Sequence, residues 1–266
     1  MAELMDAYSF IDEPRSGLTN MAIDDAMLEY SDEHRVVVLR VYEWSEPTLS
    51  LGYFQRLSDR EAHVPSRELQ LVRRATGGGA IVHHHDVTYA LAVPQSSSSV
   101  GAAPAIYSAL HEAVVKWLCE LGLAAKQWRE PYNLPTSEAV PAAHGKTEFL
   151  CFHRRSDGDV VVGEHKVMGS AQRRSKGALL QHGSMLIAQS EHAPSLEGLQ
   201  ELLPDARGLL ANRRLFADEL RLRIQRGIDS LLGVSVQYKS GPVQQFQEFA
   251  KFKEAKFAAE QWRARA

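Results

Sequence analysis

Residues 148–187 read EFLCFHRRSDGDVVVGEHKVMGSAQRRSKGALLQHGSMLI, and the fold turns on how they are read. Cys151 stands between the large apolar Leu150 and Phe152. The β-branched Val160, Val161 and Val162 follow, closed by Gly163 and Glu164, and Lys166 opens a second, alternating run. Two short extended runs joined by two residues with Gly first predict a hairpin, because Gly supplies the positive φ that so tight a turn needs. Strand alternation then expects Lys166, Met168, Ser170 and Gln172 on one polar, reactive face, with His165, Val167, Gly169 and Ala171 on the other. Cys151 and Lys166 are fifteen positions apart on adjoining elements. An ammonium within a few ångströms of a thiol stabilises the thiolate and makes it a nucleophile at neutral pH. The same lysine, once deprotonated, can accept a proton from an incoming amine. Taken alone, these residues fit better a packed apolar cysteine beside an exposed lysine, because spacing alone does not join side chains.

Upstream, residues 20–30 (NMAIDDAMLEY) carry Met21, Ala22, Ile23, Ala26, Met27 and Tyr30 as a helical stripe, with Asp24, Asp25 and Glu29 largely outside it and Asn20 as N-cap. Residues 36–42 are dense in β-branched side chains and predict a core strand. Residues 48–53 alternate and are expected to pair with it across Glu46 and Pro47. Residues 71–93 read as a strand, a loop at Gly77, Gly78 and Gly79, a second strand, a turn near His85 and Asp86, and a third strand. Glycine-rich loops let the backbone approach a ligand closely. Here Arg73 and Arg74 precede the loop, so its amides and a guanidinium together suit a carbonyl, carboxylate or phosphate. In His83-His84-His85-Asp86, alternation lets His83 and His85 share a metal, but no third ligand stands at an obvious spacing, and a single histidine facing a pocket fits better. No metal is expected.

Downstream of four serines, Ile106, Leu110, Val114, Trp117 and Leu121 predict an amphipathic helix over residues 104–122, with Cys119 off its stripe. Residues 131–145, rich in proline, read as an irregular loop before the cysteine hairpin, a candidate lid. Helical patterns recur at 195–203, 216–232 and 243–265, the last with Phe246, Phe249, Phe252 and Phe257 as its apolar side. The domain reading is a catalytic unit over residues 1–210, with C-terminal helices over 211–266 packed on it or forming a small lobe.

At 266 residues and 44% hydrophobic, the chain can bury one sizeable core. The acidic N-terminus is unlike a signal peptide, and no apolar run approaches the ~18 residues that span a membrane, so a cytoplasmic protein is expected. Two cysteines are too few for a disulfide framework and leave a free thiol for chemistry. A net charge of -3 argues against nucleic acid, although arginines pair at 73–74, 154–155, 173–174 and 213–214.

Together NMAIDDAML, LRVYEWSEPTLSLGYFQ, RRATGGGAIVH and KVMGSAQRRSKGALLQHGSML resemble the lipoate-protein ligase, octanoyltransferase and biotin-ligase superfamily over residues 10–262. The resemblance implies an α/β (α+β) fold of the class II synthetase and biotin-ligase kind: a mixed, largely antiparallel sheet flanked by helices, with an acyl tunnel between the glycine loop and the lysine strand. Cys151 followed by Phe152, Thr88-Tyr89 where ATP-using ligases show a Gly-Asn pair, and the mere ~80 residues after Ile187 look like the cysteine-dependent octanoyltransferase branch. That branch implies an octanoyl (lipoyl) transferase of lipoate biosynthesis. It takes the acyl chain from acyl carrier protein through a cysteine thioester to a lysine of a lipoyl-accepting protein such as glycine-cleavage H protein. By the same resemblance Cys151 is the acyl acceptor, and Lys166 contacts the carbonyl and assists proton transfer. Arg74, Gly77, Gly78, Gly79 and His83 line the pocket, Gln181, His182 and Gly183 support it, and no cofactor is needed. The arginine pairs would steer acidic carriers. His84 and His85 stand where relatives often have acids, and Ala90 replaces a common serine. The competing reading is an ATP-dependent lipoate-protein ligase working through an acyl-adenylate on the same loop.

Overall fold

Strand β2 (Val37–Tyr42) is buried along its whole length, which requires cover on both faces of its sheet. A computed structural model, describing residues 7–95, 102–130, 148–175, 177–203, 207–232 and 236–265, shows what supplies that cover. In chain order the elements are β1 (Ala7–Ile11), α1 (Gly17–His34), β2, β3 (Thr48–Leu51), β4 (Gln70–Arg73), β5 (Ile81–His83), β6 (Asp86–Pro94), α2 (Ala102–Glu120), β7 (Ala125–Gln127), β8 (Val160–Val162), β9 (His165–Arg174) and β10 (Ala178–Leu186). Then come α3 (Leu199–Leu202), α4 (Arg207–Ala211), α5 (Arg213–Leu232), β11 (Tyr238–Lys239), α6 (Val243–Ala258) and α7 (Glu260–Arg263). The candidate lid at 131–145 and the serine link at 96–99 lie outside the described residues.

The main sheet runs β11-β1-β2-β6-β10-β9-β8-β7. It is parallel at β11-β1-β2 and antiparallel elsewhere. Alternation along β2 sends Val37, Leu39 and Val41 into a core with Leu110, Val114 and Trp117 of α2 and Phe216, Leu220 and Ile224 of α5. Val38 and Tyr42 point the other way, to Met21, Ile23 and Met27 of α1 and Phe246 and Phe257 of α6. The result is the mixed α/β, mostly antiparallel architecture that the sequence implies, with helices on both sheet faces. Among the described residues no helix is long and apolar enough to cross a membrane.

Three sequence expectations change. First, residues 48–53 do not pair with β2. Instead β3 sits between β4 and β5 in a separate three-stranded sheet with its own core of Leu49, Leu51, Val82 and Leu150. Second, the α1 N-cap is Ser16, whose hydroxyl accepts from the Thr19 amide, and Asn20 lies inside the helix. Asn20 and Asp24 are buried because Arg40 of β2 points at them. Its Nη2 donates to Asn20 Oδ1 at 2.6 Å, its Nη1 to Asp24 Oδ1 at 2.9 Å, and its Nε to Asp12 at 3.0 Å. Asp25 is held by Lys253 and Lys256 of α6, so Asp24 and Asp25 face neighbouring elements, whereas Glu29 stays exposed as expected. Third, residues 243–265 break after Ala258. Positions 246, 250 and 257 share one helical face and are buried, whereas Phe252 is 84% exposed on the opposite side and Phe249 is also exposed.

Candidate active site

The glycine loop follows β4 and folds around Arg74. Its fully buried guanidinium donates through Nη1 to Ser50 O (2.9 Å) and through Nη2 to Gly77 O (2.7 Å) and Gly79 O (2.6 Å). Buried carbonyls need donors, and this one side chain satisfies two of the loop's. Burial lowers Arg74 to about 10; the Cys151 charge opposes the shift and Arg154 and Arg73 add to it, so Arg74 remains a cation at neutral pH. Arg73 is buried as well, donating to Gly52 O and Gln55 O and, through Nε and Nη2, to Arg263 O. Neither member of this pair is a solvated charge, which removes it from any steering of carriers. Elsewhere Arg155 pairs with Glu164 and Arg213 with Glu43.

The end of the loop positions the cysteine. Ala80 N donates to Phe149 O (2.9 Å) and Cys151 N to Ala80 O (2.7 Å), a backbone staple that pins residues 149–151 against the loop. Cys151 then opens a single 3-10 turn, Cys151–His153, with Phe152 buried beneath. A Cβ built on Gly78 would lie 3.9 Å from Cys151 Sγ.

The predicted hairpin forms, with Gly163 at φ 57° in its turn between antiparallel β8 and β9. The facing of its residues differs from simple alternation. Val161 pairs with Lys166 but Val160 with Met168, so β9 carries one extra residue, a bulge. A bulge resets which side chains share a face. Ser170 turns toward α2, meeting His111 Nε2 at 2.7 Å and, from β6, Tyr89 Oη at 2.8 Å. Lys166 instead lies over Gly169, where a Cβ would come within 2.5 Å of Lys166 Cε. Lys166 is buried. Its Nζ reaches Asp159 Oδ2 at 2.8 Å, Arg154 O at 3.2 Å, Cys151 O at 3.4 Å and Cys151 Sγ at 3.8 Å. The two residues that the sequence singled out are thus brought together.

Cys151 stands at a cleft of about 480 Å³, counted with its open mouth, walled by Gly78, Cys151 and Phe152 on one side and Gly169, Ala171 and Gly183 on the other; Lys166 does not line it and meets it only through Cys151 and Gly169. Met21, Tyr42, Trp44 and Ile81 make it apolar, and Arg74 and His83 also line it. His83 stacks on Trp44 with centroids 3.9 Å apart, and its Nδ1 meets Asp86 Oδ2 at 2.8 Å. Burial alone would raise Asp86; the His83 charge and hydrogen bonds from His83, Ser184 and Thr88 outweigh it and hold the carboxyl below its usual range. His84 and His85 stack on each other at 3.6 Å, and His84 Nδ1 meets Ser190, so the histidine run does not converge on one point. Among the described residues no group of three His, Cys, Asp or Glu side chains is placed to hold a metal.

Two residues at the site escaped sequence reasoning or were undervalued by it. Asp159, the ion-pair partner of Lys166, ends the Ser156-Asp157-Gly158-Asp159 string, whose composition signals only a turn. His182, expected to play a supporting part, lines the cleft itself. It shares a hydrogen bond with Thr76 and lies 3.5 Å from Asp24, and burial lowers it despite that carboxylate.

Residues 16–205, well over half the chain, match the lipoyl protein ligase A/B catalytic domain. The chain belongs to that family. Its sequence is 36% identical to Octanoyltransferase LipM of Kyrpidia tusciae over 216 residues, covering 79% of this chain and 71% of that one. It is 31% identical to Octanoyltransferase LipM of Bacillus subtilis over 281 residues, covering 97% and 98%. Like these two lipoyl-ligase-family relatives, the chain is a transferase enzyme. Among solved structures, a bipartite lipoate protein ligase of Thermoplasma acidophilum, described with its E2 lipoyl domain, superposes with a TM-score of 0.63 over 98% of this chain and 96% of that one. At 21% identity this likeness speaks for the fold.

Proposed function

We propose that the chain moves an octanoyl group from the thioester of an acyl carrier protein, through Cys151, to a lysine amine of a lipoyl-accepting protein such as glycine-cleavage H protein. The observation that carries the reading is the 3.8 Å approach of Lys166 Nζ to Cys151 Sγ, with Cys151 lining an apolar cleft. The names of the two relatives support octanoyl as the acyl group, and the lipoyl domain named with the archaeal ligase supports the class of acceptor.

In the first step Cys151 thiolate attacks the thioester carbonyl. The new C–S bond forms to Cys151, the carrier's C–S bond breaks, and the departing sulfur takes up the proton that Cys151 gave up. Lys166 ammonium and the glycine loop face the carbon under attack, where negative charge develops on oxygen. In the second step the acceptor amine attacks the enzyme thioester, a C–N bond forms, the C–S bond to Cys151 breaks, and the amine's proton returns to the sulfur. Thioester exchange is near thermoneutral and amide formation runs downhill, so no ATP enters. Gly78 walls the acyl chain and His83 borders it, Gly77 and Gly79 do not line the cleft but give their carbonyls to Arg74, and Arg74 holds the loop in shape while keeping an Nε–H unpaired among the described residues.

Substrate choice tests the reading. Octanoyl-carrier protein plus acceptor is expected to yield octanoylated acceptor without ATP, and Cys151→Ala to abolish it. Activity only with free octanoate and ATP, undiminished in Cys151→Ala, would instead make the chain an ATP-dependent ligase.

A further inference from the structure

The ammonium that faces Cys151 is itself held from behind. Asp159 and Lys166 form an ion pair at 2.8 Å with side-chain exposures of 2% and 4%. Withdrawing two charges from water is costly, and such a pair is poor evidence for added stability. Its geometry is nonetheless tightly fixed. Asp159 Oδ2 also accepts from the Ser156 amide at 2.7 Å, and Oδ1 accepts from Tyr107 Oη of α2 at 2.7 Å. Both carboxylate oxygens are therefore anchored, one by the turn before β8 and one by a helix across the sheet. Burial and the Asp159 charge raise Tyr107, which stays a protonated donor. On the open side Gly169 leaves no Cβ to displace the lysine, and the ammonium points to Cys151 and to the carbonyls of Cys151 and Arg154. His111 is the other titratable group near this pair; burial lowers it to about 4, against the pull of Gly158 O and Asp159, leaving it neutral.

We infer that Asp159 is a positioning residue for the reaction: fixed by Tyr107 and Ser156, it holds Lys166 aimed at Cys151, and so sets the reactivity of that thiol. This rests on the proposed roles of Cys151 and Lys166. Asp159 itself touches no reacting atom. Without its carboxylate, the buried ammonium would lose its counter-charge and burial would favour the neutral amine, which no longer stabilises a thiolate.

Thiol reactivity tests this without any octanoyl donor. In a Cys119→Ser background, where Cys151 is the remaining thiol, alkylation by iodoacetamide is followed by intact mass at neutral and at strongly alkaline pH. Asp159→Asn is expected to slow alkylation at neutral pH by about ten-fold or more. The gap should close in alkali, where any thiol is ionised, and Asp159→Glu should restore part of the rate. Added to Lys166→Met, which removes the other charge and leaves none unpaired, Asp159→Asn should have no further effect. That double variant remains informative if Asp159→Asn alone does not fold. An unchanged neutral-pH rate in folded Asp159→Asn, or a further loss in the Lys166→Met background, would overturn the assignment. A Cys151 whose reactivity follows Asp159 but which never accepts octanoyl would leave this inference standing and remove the proposed function instead.

Discussion

His111 shows how one buried residue sets a pH response for the whole fold. Burial lowers its imidazole from 6.5 to about 4, so between those values the unfolded chain binds a proton that the folded chain refuses. Stability is full above pH 6.5 and declines as pH falls toward 4, by roughly 3 kcal/mol for this group. Urea midpoints measured across that range should fall with acid and fall less in His111→Gln; equal slopes would refute the point, with allowance for His182, which burial lowers in the same direction. At the site, Lys166→Ala should cut octanoyl transfer by roughly 10²–10⁴-fold with the fold intact. A loss confined to KM would instead mean that Lys166 only binds substrate. Cys151 and Lys166 were legible because the motifs around them resemble the octanoyltransferase branch, the predicted hairpin alone not bringing their side chains together. Asp159 was not, because an aspartate after Asp-Gly reads as turn chemistry, and only the three-dimensional path of the turn brings it beneath the lysine. Arg74 was legible as a loop residue, but its occupation with the carbonyls of Gly77 and Gly79 follows from burial that no spacing reveals.

Strand β9 carries the element-scale lesson. Perfect alternation would place Lys166 with Met168 and Ser170, yet the bulge opposite Val160 and Val161 lays Lys166 over Gly169 beside Cys151 and leaves Ser170 in the hydrogen-bonded layer beneath α2. A single inserted residue in a ladder leaves no mark on hydrophobic pattern, because Val167 and Met168 are both apolar and both buried. Gly169 is the local signature. Gly169→Ala would set a methyl 2.5 Å from Lys166 Cε and 3.2 Å from Asp159 Oδ1, so it should lower kcat by at least about ten-fold while changing the urea midpoint little. Wild-type kcat in that variant would show that Lys166 has freedom the structure denies it. Elsewhere the strand over 36–42 was legible from β-branched density, and the strand ending at Val93 from the turn that precedes it near His85 and Asp86. The partner of residues 48–53 was not, since sequence neighbours usually pair and here β3 leaves for a second sheet. The α6 face was half legible: four phenylalanines suggested one side, and helical geometry buries only Phe246 and Phe257.

At the scale of the whole molecule, the last turn of the chain reaches back to the glycine loop. Arg73 holds Arg263 O through two nitrogens, and Trp262 Nε1 donates to Arg73 O at 2.9 Å. Arg73 directly precedes the residue that shapes the loop, so the tail, β4 and the cleft wall form one connected unit. Trp262→Ala is expected to lower stability by roughly 1–3 kcal/mol, read from the urea midpoint at constant slope. An unshifted midpoint would show that the tail merely rests there. The two-sided core explains why the overall architecture could be read from sequence: a strand buried on both faces demands two helical layers, and amphipathic helices over 104–122 and 216–232 supply one of them.

Covalent capture of the acyl group on Cys151 decides the matter most directly. Octanoyl-carrier protein mixed with the enzyme, without acceptor or ATP, should add one octanoyl mass to the intact chain, mapped by peptide analysis to Cys151, absent from Cys151→Ala, and discharged when a lipoyl-accepting protein is supplied. An enzyme that turns over carrier and acceptor yet never carries that adduct, or carries it on another residue, would contradict the account.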